Sequence, residues 1–427
     1  MKIFLDTIGC RLNQAEIESM ARQFREAGHE IMATATDADL AVINTCTVTS
    51  EAASDSRAAI RRASRLGADE LIVTGCWATL EPDKAAELAG VRKIVPNMQK
   101  ERLAAELLGL PQEFFDLEHL ARQPLPGIHA RTRAFIKAQD GCDNACTFCI
   151  TTMARGASRS RPAEHILADV QSALYGGTKE IVLTGVQLGA WGLDFPTPQH
   201  LADLVSTLLA QTSVPRLRLS SLEPWDLDAV FFSLWQDGRL CRHLHLPLQS
   251  GSESVLKRMR RKTTPGSFAA LVQAARAAIP ELAITTDVIV GFPGETEAEF
   301  SETLEFIKSM DFAGGHVFTY SARPSTPAAR MHAQVRYEIR KERNTVLQAV
   351  FKETAWVYRQ QFIGQKLSVL WEATDQLSDR GWRLEGLTDN YIRVTATAPE
   401  PRWNRLDSVE LIENETNGLR GLVEDMS

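Results

Sequence analysis

With 427 residues, 44% of them hydrophobic, the chain has the length for about two to four domains, each with its own core. The formal net charge of −7 excludes a surface uniformly attractive to nucleic acid, so any RNA contact must rest on local basic clusters. No run of about eighteen apolar residues occurs, and the opening MKIFLDTIGC lacks the pattern of a secretory signal. A soluble, cytoplasmic monomer with no membrane span is the expectation.

From Met1 to about Leu120, strand-like and helix-like segments alternate. KIFLDTIG reads as a strand, Glu16 to Gly28 as an amphipathic helix, and Leu40 to Asn44 as a second strand. Glu51 to Leu66 is a helix with a basic outer face. Glu70 to Thr74 is a third strand, Pro82 to Leu88 a helix, and Val91 to Val95 a fourth strand. Strands separated by helices imply a parallel, doubly wound sheet. The Pro- and Arg-rich stretch from Ala121 to Arg133 reads as a linker.

Six short apolar segments follow: Ala134 to Ala138, Glu180 to Val186, Arg216 to Ser221, His243 to Leu248, Ala283 to Val290 and His316 to Tyr320. Helical patterns such as Ala163 to Tyr175 and Glu297 to Met310 lie between them. Six strand–helix repeats predict a partial (βα)6 version of the parallel barrel, with its site at the carboxyl ends of the strands. After a charged helical stretch from Arg336 to Arg359, LSVLWE, WRLEGL, YIRVTA and SVELIE read as a small antiparallel β-barrel. The fold class is therefore α/β, closed by a β-barrel.

Seven cysteines, Cys10, Cys46, Cys76, Cys142, Cys146, Cys149 and Cys241, are spread along the chain. An odd number at such spacing disfavours a disulfide framework and favours metal or redox chemistry. GCDNACTFC sets Cys142, Cys146 and Cys149 in a CxxxCxxC loop after the first strand of the expected barrel. Three thiolates ligate three irons of a cubane and leave the fourth open to an external chelator, whereas cluster sites normally use four cysteines. A zinc site is the rival reading. Cys10, Cys46 and Cys76 each follow a strand of the first sheet (TIGC, INTC, VTGC), on the edge where open α/β sheets place ligands. They predict a second cluster, against the rival of three separately buried cysteines. Cys241 reads as structural.

Four polar or glycine-rich stretches are expected to form the cofactor pocket. Gly176, Gly177 and Glu180 of GGTKE run into the second barrel strand, where glycines would let a backbone approach the cofactor. Ser220 and Glu223 lie in SSLEP, Gln249 lies in LPLQSGS, and TDVIVGFPGET closes another strand. The basic clusters are Arg57, Arg61, Arg62 and Arg65; Arg155, Arg159 and Arg161; and Lys257, Arg258, Arg260, Arg261 and Lys262. The second cluster is the best placed for RNA phosphates and the third comes next. The alternative is that they brace loops by pairing with carboxylates.

Together GCRLNQAEIES, NTCTVT, VTGC, GCDNACTFC, ARGASRSR, LTGVQLGAWG, HLPLQSGS, DVIVGFPGET and GLTDNYIRV resemble the methylthiotransferases of the radical S-adenosylmethionine superfamily. The opening stretch looks most like the branch acting on N6-threonylcarbamoyladenosine at position 37 of transfer RNA. The resemblance implies an amino-terminal cluster domain (1–120), a radical core (128–357) and a TRAM-like domain (358–427). It implies two [4Fe-4S] clusters, S-adenosyl-L-methionine, the tRNA anticodon loop as partner and a reduced electron donor of flavodoxin or ferredoxin type. Under it, the cluster on Cys142, Cys146 and Cys149 generates a 5′-deoxyadenosyl radical that takes hydrogen from C2 of the adenine. The cluster on Cys10, Cys46 and Cys76 holds the sulfur. The same reaction on an aspartate of ribosomal protein S12, and a non-catalytic zinc-stabilised RNA-binding protein, are the alternatives. The last 70 residues, from Tyr358, carry 8 Lys or Arg against 12 Asp or Glu, an unfavourable balance for gripping RNA.

Overall fold

Successive residues along each of the first strands face opposite sides of one sheet, residues two apart share a side, and each side is covered by its own helices. The strands are β1 (Lys2–Thr7), β2 (Glu30–Met32), β3 (Leu40–Thr45), β4 (Glu70–Gly75) and β5 (Val91–Val95), all parallel in the order β2-β1-β3-β4-β5. On one face Ile3, Leu5, Val42 and Ile72 pack against Ile17, Met20 and Phe24 of the helix Arg11–Glu26 and against Leu103. On the other, Ala41, Ile43, Leu71 and Val73 pack against Ala59, Ile60 and Ala63 of the helix Ser50–Arg65 and against Trp77. The expected strands and helices form. Sequence patterning missed β2, three residues at the sheet edge with too little alternation to register, and the five-residue helix Cys76–Leu80.

This computed structural model describes the whole chain except residues 37, 69, 116–122, 124, 126–131, 377–380 and 424–427. Most of the expected linker, and the expected domain limits at 120 and 128, lie outside the described residues. The chain divides into two units, Met1–Asn144 with Ile150–His200, and Ala145–Cys149 with Leu201–Ser427.

In the first unit the five-stranded sheet is followed by β6 (Arg133–Lys137), β7 (Gln139–Asp140), β8 (Arg159–Ser160) and β9 (Glu180–Thr184). β6 and β9 pair in parallel, from Arg133 opposite Glu180 to Lys137 opposite Thr184. β7 and β8 form a two-residue antiparallel ribbon around the cysteine loop. Ala15, Phe135 and Val182 make a small apolar contact that seats the helix Arg11–Glu26 on these strands.

In the second unit β10 (Arg216–Leu219), β11 (His243–His245), β12 (Ala283–Val290) and β13 (Gly314–Thr319) complete the six expected barrel strands. β11, β12 and β13 pair in parallel, and single parallel bridges join Leu217 to Leu240 and Ser221 to His245. The carboxyl-terminal strands are β14 (Lys366–Gln376), β15 (Trp382–Thr388), β16 (Arg393–Ala398), β17 (Leu406–Glu415) and β18 (Gly418–Val423), closed in the order β14-β15-β16-β18-β17. Two details differ from expectation. β18, with two glycines in six residues, had too weak a strand signal to be read, and its pairing with β16 is parallel, so this barrel is antiparallel except at one seam. Its β15–β16 turn is clamped from β10 and β11. Arg218 donates to the carbonyls of Thr388 and Asp389 (3.1 and 2.9 Å), Arg242 pairs with Asp389, and His243 stacks on Tyr391 at 4.2 Å. No described helix is long and apolar enough to cross a membrane.

Candidate cluster and cofactor sites

β1, β3 and β4 are neighbours in the sheet, so the residues that follow them leave from adjacent points on one edge. The chain order reverses between β1 and β3, and such a switch point opens a crevice at the strand carboxyl ends. Cys10 stands there as the residue before the helix Arg11–Glu26, Cys46 directly follows β3, and Cys76 begins the helix after β4. Two glycines make room. Gly9 has φ +108°, and a Cβ on it would lie 2.5 Å from the Cys46 sulfur. Gly75 has φ +96°, and a Cβ there would lie 2.3 Å from the Thr45 carbonyl oxygen.

Amides surround these sulfurs. Asn97 Nδ2 donates to Cys76 Sγ at 3.5 Å and to the Ala154 carbonyl at 2.7 Å, while Cys10 Sγ lies 3.9 Å from Asn13 Oδ1. Burial pushes the Cys46 thiol up to about 11, and the nearby Cys10 and Cys76 push the same way. Metal binding here must therefore release protons. Among the described residues no three Cys, His, Asp or Glu stand at the spacing of a single-ion site. A cubane holds its thiolates farther apart than one ion does, and a set of three thiols in each other's field fits it by donor chemistry.

Next to these thiols lies a buried group of charges. Glu16 accepts from Lys100, from Lys137 at 3.3 Å and from Arg155 at 2.9 Å. Asp140 accepts from Lys137 at 2.8 Å and from Arg155 at 2.9 Å. Burial alone would raise both carboxyls, but these cations hold Glu16 well below the usual range and Asp140 at about 2.

The CxxxCxxC loop is anchored at both ends. In the first unit the Cys142 amide donates to the Gly156 carbonyl at 3.1 Å, and Cys142 Sγ lies 3.3 Å from Gln187 Oε1. Gln139 holds the loop base by donating to the carbonyls of Asp140 and Gly141 while accepting from the Gln187 amide. In the second unit Thr147 bonds to Met259, Arg258 and Ala328, and Phe148 packs edge-on against Phe292. Arg261, only 2% exposed, forks onto Glu223 at 2.6 and 3.1 Å, donates to the Pro247 carbonyl and covers the Trp225 ring at 4.5 Å. It also reaches Cys146 Sγ at 3.9 Å. Burial raises the Cys146 thiol and the Arg261 charge opposes that rise.

Three of the expected cofactor residues stand at strand carboxyl ends in the second unit. Ser220 follows β10 and its hydroxyl is buried with no partner among the described residues, the condition of a group awaiting a ligand. Glu223 lies in the next turn, and Gln249 takes φ +76° between the Asp287 carbonyl and the Ile289 amide. Gly176, Gly177 and Glu180 need a correction. Both glycine amides close the helix Ala163–Tyr175, bonding Ser172 and Leu174. Glu180 begins β9 opposite Arg133, about 13 Å from the carboxyl end at four strand steps. These three residues stand at the wrong end of the strand for the cofactor. Gln187 and Gln139 are the polar residues at the right end. The stretch LTGVQLG carried the signal for Gln187, and nothing local marked Gln139.

The basic clusters are also corrected. Arg155 is 2% exposed within the buried charge group, and Arg161 pairs with Asp169. Arg258 pairs with Glu299, Lys257 with Glu253, and Arg261 is buried. Arg155, Arg161, Arg258 and Arg261 brace loops through carboxylates, whereas Lys257 pairs within its own helix and, like Arg260 and Lys262, is exposed. Arg61 and Arg65, on the helix Ser50–Arg65, remain exposed. Cys241 is buried with its amide bonded to the Leu217 carbonyl, as a structural residue would be.

A parallel sheet with cysteines at its strand ends, followed by parallel barrel strands whose first loop carries CxxxCxxC, defines a protein of the radical S-adenosylmethionine class. The family model described as "Radical SAM superfamily" matches residues 136–307, and that described as "Uncharacterized protein family UPF0004" matches 2–96. A radical S-adenosylmethionine methyltransferase, TsrM of Kitasatospora setae, shares the fold with a TM-score of 0.59 at 15% identity, over 77% of this chain and 74% of that one. The threonylcarbamoyladenosine tRNA methylthiotransferase MtaB of Bacillus subtilis is 39% identical, over 95% of this chain and 93% of its own. That of Thermotoga maritima is 37% identical over 86% of each. A tRNA-2-methylthio-N(6)-dimethylallyladenosine synthase of Maricaulis maris is 30% identical over 98% of this chain and 96% of its own. The chain belongs to the radical S-adenosylmethionine methylthiotransferase family, among the enzymes of transfer RNA.

Proposed function

We propose that the protein methylthiolates C2 of N6-threonylcarbamoyladenosine at position 37 of transfer RNA, using two [4Fe-4S] clusters and S-adenosyl-L-methionine. The observation that carries the two-cluster reading is the set of three thiols after neighbouring strands β1, β3 and β4, separate from the CxxxCxxC loop. The choice of nucleoside is supported by relatives of that name at 34–39% identity, against 30–32% for those named for dimethylallyladenosine. Position 37 lies in the anticodon loop, whose splayed bases are open to a protein. When bound, the clusters and the cofactor supply the radical and the sulfur.

In this reading Cys142, Cys146 and Cys149 hold the radical cluster and Cys10, Cys46 and Cys76 the second. Ser220, Glu223 and Gln249 line the cofactor, and Arg261 keeps the Glu223 carboxylate oriented. Residues 1–120, 128–357 and 358–427 form the cluster, radical and TRAM-like domains of a cytoplasmic monomer served by a flavodoxin or ferredoxin type donor. The test is the nucleoside content of transfer RNA from a deletion strain. Loss of the methylthio group from threonylcarbamoyladenosine alone is expected; its loss from dimethylallyladenosine, or unchanged transfer RNA with an altered ribosomal protein S12, would replace the substrate. Anaerobically reconstituted protein should hold about eight irons. Zinc without iron would leave a non-catalytic RNA-binding protein.

A further inference from the structure

Arg155, Lys100 and Lys137 are 2%, 1% and 8% exposed, and the carboxylates they meet, Glu16 and Asp140, are 3% and 5% exposed. Three cations face two anions, so this buried group has a formal excess of one positive charge. The other charges that reach it, Glu101 and Arg159, are 64% and 37% exposed and answer to solvent. An uncompensated charge in a protein interior is strongly disfavoured, and so the excess calls for an anion nearby.

The excess faces the amino-terminal thiols. Arg155 donates to Asn13 Oδ1 at 2.6 Å, the same oxygen that lies 3.9 Å from Cys10 Sγ. Asn97 joins Cys76 Sγ to the carbonyl of Ala154, the residue before Arg155. Arg155 feels the charge of Cys10 and Cys76, and Lys100 that of Cys76. In its oxidised state a cubane on three thiolates carries a single net negative charge, which matches the excess, and net charge is one of the determinants of a cluster's potential.

We propose that Arg155 and Lys100, held by Glu16 and Asp140, are positioning residues that supply the counter-charge of the cluster on Cys10, Cys46 and Cys76 and raise its reduction potential. The inference rests on the two-cluster reading above. Arg155 also ends the short helix Thr151–Arg155, and the next carbonyl, that of Gly156, accepts from the Cys142 amide. One segment thus braces the amino-terminal thiols and one end of the radical loop.

The test uses the full chain carrying Cys142→Ala, Cys146→Ala and Cys149→Ala, so that any iron–sulfur signal belongs to the amino-terminal cluster. After anaerobic reconstitution, the reduced cluster is followed by electron paramagnetic resonance during titration with dithionite. Arg155→Met and Lys100→Met should each make one-electron reduction at least tenfold less favourable, a potential lower by about 59 mV. Arg155→Lys, which keeps the charge, should restore most of it. Loss of iron from both methionine variants with retention in Arg155→Lys would also support the proposal, because charge would then be needed for binding itself. Normal iron and an unchanged potential in the methionine variants would overturn it. Equal loss of iron from all three variants would make the network a packing clamp and overturn it too. Absence of any cluster in the parent would remove the two-cluster reading and this inference with it.

Discussion

Gly9 and Gly75 each precede a cysteine and occupy backbone conformations that side chains rarely adopt, with Cys46 where a Cβ on Gly9 would point and Thr45 of β3 where one on Gly75 would. Gly75→Ala is therefore expected to cost about 1–3 kcal/mol, read as a lower urea midpoint of the metal-free protein. In the proposed reading the cysteines divide by chemistry. Changing Cys142, Cys146 and Cys149 to alanine should halve the iron and abolish cleavage of S-adenosylmethionine. Changing Cys10, Cys46 and Cys76 should leave 5′-deoxyadenosine formation intact and stop methylthiolated product. Full cofactor cleavage by the first variant, or product at the normal rate from the second, would refute the division. The arginines teach a different lesson: Arg155, which looks like part of a phosphate grip in ARGASRSR, turns inward because Glu16, distant in sequence, awaits it.

Among the secondary-structure elements, the helix Arg11–Glu26 does most to unite the first unit. Its apolar face covers the sheet, Ala15 meets β6 and β9 residues, and Arg22 joins Arg161 on Asp169 of the helix Ala163–Tyr175. Burial would raise the Asp169 carboxyl, but Arg161 and Arg22 together hold it at about 2. A depressed carboxyl stabilises the fold above its unfolded value near 4, and that contribution fades as pH falls toward 2. The buried pair should thus add about 2 kcal/mol at neutral pH, by the size of the shift. Asp169→Asn should lose it and flatten the acid limb of the stability curve, measured by urea unfolding between about pH 5 and pH 2. An unaltered acid limb would mean that the unfolded chain keeps the same pairing.

Over the whole molecule, an acidic chain has to hold an acidic RNA. In the second and third basic clusters Arg155, Arg161, Arg258 and Arg261 are committed to carboxylates, whereas Lys257, Arg260 and Lys262 are exposed; in the first, Arg62 pairs with Asp6 and Arg57 lies over Trp77. Arg61 and Arg65 stand one helical turn apart on the exposed side of the helix Ser50–Arg65. Arg61→Ala with Arg65→Ala should weaken transfer RNA binding and reduce its salt slope by about two units, with iron content unchanged. An unchanged slope would mark this helix as a solvated face.

Sequence alone determined the alternation of strands and helices, the six barrel strands and the two sets of cysteines. Each of these is written in local periodicity or in a short motif, and chain spacing does not alter them. Tertiary structure decided what depends on distant partners. Glu16 and Arg155 are 139 residues apart, and only the packing of the first unit brings them together as a buried pair. The glycines of GGTKE lie at the wrong end of β9 because a helix end claims them, although the same letters could have lined a cofactor. The parallel seam of the last barrel and its clamped turn follow from closure, which fixes the final strand by the edges left unpaired. Local patterns select the elements, but burial and charge pairing are settled only when the elements meet.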